Sequence, residues 1–65
     1  MASYKIGQIV ELVEKPGYLT GISRGHIYVV NRISRSREGY IYLTILGEDG
    51  HAHDLLSNMF RVKQS

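Results

Sequence analysis

Residues 25–46 read GHIYVVNRI, then SRSREG, then YIYLTIL. Two runs dense in Ile, Val and Tyr flank a short charged break that ends in glycine, which is the sequence form of a β-hairpin. In the second run Ile41, Leu43 and Ile45 alternate with Tyr40, Tyr42 and Thr44. Because strand side chains alternate between faces, one face of that strand is aliphatic and the other aromatic and polar. The rest of the chain is then expected to cover the aliphatic face.

On either side of the hairpin the signals are also those of short strands and turns. Residues 6–14 (IGQIVELVE) read as a first strand with Val10 and Leu12 on one face and Ile9 and Val13 on the other. Residues 15–25 (KPGYLTGISRG) have no clear period. Pro16-Gly17 suggests a type II turn, with Gly17 at the positive-φ position. The apolar Tyr18, Leu19 and Ile22 suggest a loop folded over a sheet edge, with Leu19 or Ile22 buried. Asp49-Gly50 marks a second tight turn. Residues 51–55 read as a short strand, 56–59 as a single helical turn, and 60–63 as a closing strand with Phe60 and Val62 inward. Tyr4 is expected to fold back as a lid on an otherwise frayed lead-in. The predicted architecture is all-β, a small five-stranded barrel forming one domain over 1–65.

Composition narrows the function classes. With 65 residues and no cysteine, neither a disulfide framework nor a four-cysteine zinc site supports the fold. A chain this short buries only about 60% of its unfolded surface, so its stability rests on a compact core or on association. No apolar run approaches a membrane span and no signal-peptide stretch opens the chain, so a cytoplasmic protein is expected. Eight basic and six acidic side chains leave a net charge of +2, too small by itself to indicate nucleic acid. Arg24, Arg32, Arg35 and Arg37 nevertheless cluster in or beside the hairpin with only Glu38 among them.

The segments GQIVELV (7–13), GISRGHIYVV (21–30), YIYLTI (40–45) and GHAHDLLSNMFRV (50–62) resemble small SH3-like barrel proteins of bacteria and phages. The glycine-led second strand is similar to KOW-type domains, although the loop before it is longer and more apolar than in that pattern. The resemblance implies an SH3-like barrel with a short 3₁₀ turn before the last strand. It implies a binding module rather than one particular function, since such barrels bind RNA, DNA and peptides alike.

Pairing Ile33 with Ile41 sets Arg32 opposite Tyr42 and Val30 opposite Thr44, with Tyr28 beside Leu46, all on the outward face. Tyr28, Arg32, Tyr40 and Tyr42 then form a surface with Arg35 and Arg37 at the hairpin tip. Arginine forks bind phosphate and tyrosine rings stack on bases, so single-stranded nucleic acid or RNA is the first expected ligand. The same residue types dominate protein hot spots, so a host protein is the alternative, with Tyr18 and Leu19 joining the surface of a phage-type regulator or inhibitor. Pairing of two copies through a strand edge is a further expected contact. His51 and His53 project to one face and His26 is the only other histidine, a set too sparse for a metal site, and no cofactor is expected. GISRG (21–25) matches the letters G-x-S-x-G, but no helix follows Ser23 and the chain is too short for the sheet that motif requires. No enzyme activity is expected.

Overall fold

The computed structural model describes residues 4–64; residues 1–3 and 65, part of the expected lead-in and domain, lie outside the described residues. Five strands are present: β1 (Ile9–Leu12), β2 (Ile27–Arg35), β3 (Ile41–Leu46), β4 (Ala52–Leu56) and β5 (Phe60–Gln64). A 3₁₀ turn over Ser57–Met59 precedes β5. Every pairing is antiparallel, in the order β4-β3-β2-β1-β5, and the sheet is not closed by hydrogen bonds between its two end strands. Among the described residues no helix is long and apolar enough to cross a membrane.

The nine-residue β2 belongs to both halves of the sheet, pairing β1 through residues 27–29 and β3 through residues 30–35. Between Val30 and Arg32 its register shifts, leaving Asn31 as the extra residue of a bulge. A bulge bends its strand and increases the local twist, which lets one strand serve two differently oriented halves. Around the bend lies a core of Val10, Leu12, Ile22, Tyr28, Val30, Leu43, Ile45, Leu55 and Phe60, with Tyr4, Leu19, Ile33, Ile41 and Met59 packed at its margin. Val10 and Leu12 are inward as their alternation predicts, and Ile41, Leu43 and Ile45 all face the core, Ile41 only half-buried near the strand end.

Two expectations about the hairpin fail. Ile33 pairs with Leu43 rather than Ile41, and Arg35 is the residue opposite Ile41. The reason lies in the turn: Ser36 N–H donates to the Tyr40 carbonyl at 2.8 Å, and the Ser36 hydroxyl accepts from Tyr40 N–H at 3.1 Å. With Gly39 at φ +95°, this closes the loop early and lengthens the ladder. Val30 and Tyr28, expected outward with Arg32, instead face the core, at 0% and 7% exposure. The bulge inserts one residue, and a one-residue slip moves every side chain before it to the opposite face.

β1 is shorter than the predicted 6–14 run. Gly7 takes φ +92° and its N–H donates to the Val30 carbonyl, while Val13 and Glu14 donate to the Met59 carbonyl rather than to a strand. The turn at 16–19 has Pro16 in its first position, with Leu19 N–H on the Pro16 carbonyl, and Gly17 does not have positive φ. A type II turn with Gly17 third is therefore absent. Beyond that turn the loop descends, burying Ile22 at 3% exposure and packing Leu19 against the core margin. Tyr4 folds back as expected, its hydroxyl donating to the Ser57 carbonyl at 3.2 Å.

Two near neighbours on β3 test this packing. Leu43 is fully buried and Leu46 is 55% exposed. Leu43→Ala is expected to lower the unfolding free energy by about 2–5 kcal/mol, a large fraction of what such a domain has. Leu46→Ala should change it by less than about 0.5 kcal/mol. Urea denaturation of the two variants reads both values.

Candidate binding surface

The hairpin end carries most of the sequence-predicted site. Arg37 sits in the turn between β2 and β3, and Tyr40 follows it at 58% exposure. Tyr42 is half-buried and pairs with Ser34 on one side and Leu56 on the other. Arg32 stands opposite Thr44 on the outer face, whereas Arg35, opposite Ile41, belongs to the other face at the strand end. The three arginines therefore surround the hairpin end rather than forming one flat surface. Tyr28 is not part of it, because the bulge has turned its ring into the core. Thr44, expected outward, is buried; its hydroxyl donates to Asp54 Oδ1.

Charge pairing separates this region from the rest of the molecule. Most acidic side chains are engaged internally. Glu11 accepts from Arg61 at 2.8 Å and lies 3.6 Å from Lys63 Nζ. Glu48 accepts from His26, Tyr28 and Ser23, Asp49 meets His53 and the His51 N–H, and Asp54 holds Thr44. Among the described residues Arg24, Arg32, Arg35 and Arg37 form no ion pair. A guanidinium with no internal carboxylate keeps its five donors for solvent or a ligand.

At the opposite end of the sheet the long loop and the β3–β4 turn are locked together. Glu48 N–H donates to the Gly21 carbonyl at 2.8 Å. Gly21 has φ +87°, and a Cβ there would collide with the Asp49 carboxylate. The Tyr28 hydroxyl accepts from Ser23 N–H at 2.8 Å and donates to Glu48 Oε1 at 3.0 Å. Burial pushes the Tyr28 pKa up, and the Glu48 carboxylate adds to the rise, so the phenol stays neutral and donating. For Glu48 itself burial acts upward, but the hydrogen bonds from Ser23, Tyr28 and His26 together outweigh it and bring the pKa below its usual 4.5.

Ser23, His26 and a carboxylate thus meet beside the G-x-S-x-G letters, yet they are not connected as a catalytic triad. Glu48 bridges the other two: His26 Nδ1 lies 2.6 Å from Oε2 and the Ser23 hydroxyl 3.3 Å from Oε1. A triad needs the serine on the imidazole, whereas here its proton faces a carboxylate of lowered pKa, a poor base. The histidines serve separate carboxylates, His26 on Glu48 and His53 on Asp49. Among the described residues no group of three or more His, Cys, Asp or Glu is placed to hold a metal ion.

Of the loop residues, Tyr18 is the most exposed large apolar side chain at 84%, while Leu19 is half-buried and its carbonyl accepts from Lys15 Nζ at 2.8 Å. Sequence reasoning missed an outer aliphatic patch of Ile27, Val29 and Leu46, which lines a shallow depression with Asn31. Its signal was present, since 27–30 (IYVV) is apolar at both alternating positions, but which pair faces out depends on the bulge. Comparison with protein-family models, with curated proteins and with solved structures finds no match to this chain.

The junction yields two measurable consequences. Tyr28→Phe keeps the buried ring but removes the hydroxyl, leaving Ser23 N–H without its acceptor; a loss of about 1–2 kcal/mol is expected on thermal or urea unfolding. Glu11, Glu48 and Asp49 all have folded pKa values below their usual 4.5, 4.5 and 3.8, Glu11 through its hydrogen bond from Arg61 and Asp49 through that from the His51 N–H. Depressed carboxylates stabilise the fold above those usual values, and the contribution is lost as pH falls below them toward the folded values. Melting temperature should accordingly fall through that acid range, and Glu48→Gln should reduce the slope.

Proposed function

We propose that the chain is an SH3-like barrel acting as a non-catalytic binding module, and that it engages single-stranded nucleic acid through the β2–β3 hairpin end. The strand order β4-β3-β2-β1-β5 and the 3₁₀ turn before β5 support the barrel type. The observation that carries the ligand class is the set of unpaired arginines, Arg32, Arg35 and Arg37, around the exposed Tyr40 ring. Guanidinium donors suit phosphate oxygens, and an exposed ring gives a base a surface to stack on, worth about 1–3 kcal/mol per base. Arginines on both sides of the hairpin suit a flexible strand that wraps its end better than a rigid duplex lying on a flat face.

A second reading, a protein partner, has its own support in the Ile27–Val29–Leu46 patch and in Tyr18. These are apolar groups of the kind that anchor protein interfaces. Leu19 fits that role less well, because it packs against the core margin.

Binding of a fluorescent single-stranded RNA or DNA, measured over a range of salt, separates the readings. Phosphate-led binding makes log affinity fall linearly with log salt, and each phosphate that is no longer neutralised reduces the slope by about 0.7. Changing Arg32, Arg35 and Arg37 together to Ala should leave the melting temperature nearly unchanged while flattening that slope by about 2. Tyr40→Ala should weaken binding without altering the slope. Affinity unaffected by the triple change removes the hairpin from the nucleic-acid reading.

A further inference from the structure

Thr44 lies at the middle of a charged row on the outer face of the sheet. Arg32 of β2 is its partner on one side and Asp54 of β4 on the other, so the three stand in line across the strands. The Thr44 hydroxyl donates to Asp54 Oδ1, which fixes that carboxylate on the same face. Tyr42, two residues before Thr44, shares the face on the hairpin side, because strand side chains alternate. Antiparallel partners have Cα atoms about 4.5–5.5 Å apart, which separates Arg32 from Asp54 by about 10 Å across the small threonine. The two form no ion pair with each other. We propose that this row reads guanine in the bound strand, with Asp54 accepting from the base and Arg32 holding the phosphate of the same nucleotide. The assignment rests on the nucleic-acid reading of the hairpin end.

Asp54 differs from the other acids of the chain. Glu11, Glu48 and Asp49 each meet a basic side chain. Among the described residues the acids without an ion pair are Glu14, Glu38 and Asp54, and of these only Asp54 belongs to a strand. It is exposed on the end strand β4, and its hydrogen bond from Thr44 uses Oδ1. Oδ2 and a second lone pair of Oδ1 are left to accept, and an ionised carboxylate can only accept. A fixed negative charge in line with Arg32 also repels the phosphate backbone. It therefore penalises every nucleotide that brings it no donor.

Guanine is the base that answers a carboxylate. Its Watson–Crick edge carries N1–H and the N2 amino group side by side, two donors that one carboxylate accepts together. Adenine and cytosine set a ring-nitrogen acceptor beside their amino group, and uracil and thymine flank their one N–H with carbonyl oxygens. Each of these brings a lone pair against Asp54. The edge is open for reading in a single strand and occupied in a duplex. Tyr42 supplies an aromatic neighbour for the base, and the separation of Asp54 from Arg32 is comparable to that between a purine's Watson–Crick edge and its own phosphate.

Fluorescence anisotropy of the full chain at low, fixed salt tests this. The probes are a short oligouridine with one central guanosine and the same strand with adenosine, cytidine or inosine in its place. The guanosine strand is expected to bind roughly tenfold more tightly than the adenosine and cytidine strands. Inosine keeps N1–H but lacks the N2 amino group, so its strand should fall between. Asp54→Asn keeps an acceptor for the Thr44 hydroxyl and loses the charge. It should remove the guanosine preference without weakening the plain oligouridine, whereas Arg32→Ala should weaken all strands alike. Guanosine equal to adenosine, guanosine equal to inosine, or a preference that survives in folded Asp54→Asn overturns the assignment and leaves the hairpin reading standing. Absence of binding by every strand overturns both. Should Asp54→Asn fail to fold, the inosine comparison on the unaltered chain still decides.

Discussion

The bulge at Asn31 is the constraint on which the rest of the structure depends. Without it, β2 would run straight, with Tyr28, Val30 and Arg32 on one face and Ile27, Val29 and Ile33 on the other. With it, Tyr28 and Val30 point into the core while Arg32 points out opposite Thr44. The same residue bends the strand, so that its first part pairs β1 and its second pairs β3. One inserted position thus decides which tyrosine is structural, which arginine is available, and which aliphatic side chains remain on the surface.

The inward turn of Tyr28 fastens the far end of the sheet. A buried phenol needs a hydrogen-bond partner, and this one bridges Ser23 of the long loop and Glu48 of the β3–β4 turn. Glycine is required where the two segments touch: a Cβ on Gly47 would lie 2.5 Å from the Gly21 carbonyl, and one on Gly21 would strike Asp49. The long loop is therefore held as part of the core wall, with Ile22 buried and Tyr18 its exposed aromatic side chain. That fastening absorbs Glu48 and Asp49, and with Glu11 bound to Arg61 it leaves the hairpin arginines with little internal acid to neutralise them.

Much of the fold was legible in residue alternation and turn chemistry. The alternation of Ile41, Leu43 and Ile45 located the core face of β3, and GEDG (47–50) marked the turn after it. The single helical turn before Phe60 followed from the few residues available there. The hairpin register was not legible, because it depends on a serine hydroxyl closing the loop at Tyr40. The bulge was not legible either, since IYVV (27–30) offers an apolar residue to each face and periodicity cannot choose between them. Of the candidate site, the exposed Tyr40 and the hairpin position of Arg37 followed directly from sequence. Tyr28 was misplaced and the Ile27–Val29–Leu46 patch was missed for the same reason, and Leu19, anticipated as a partner contact, is half-buried at the core margin.

The central claim is that the hairpin end, not the aliphatic patch, meets the ligand. Backbone amide chemical shifts recorded during titration with a short single-stranded oligonucleotide test it most directly. Salt-sensitive shifts are expected to concentrate at Arg32, Arg35, Arg37, Tyr40 and Tyr42, with Ile27, Val29 and Leu46 unmoved. Shifts confined to Ile27, Val29 and Leu46, or no shifts at low salt, would contradict it.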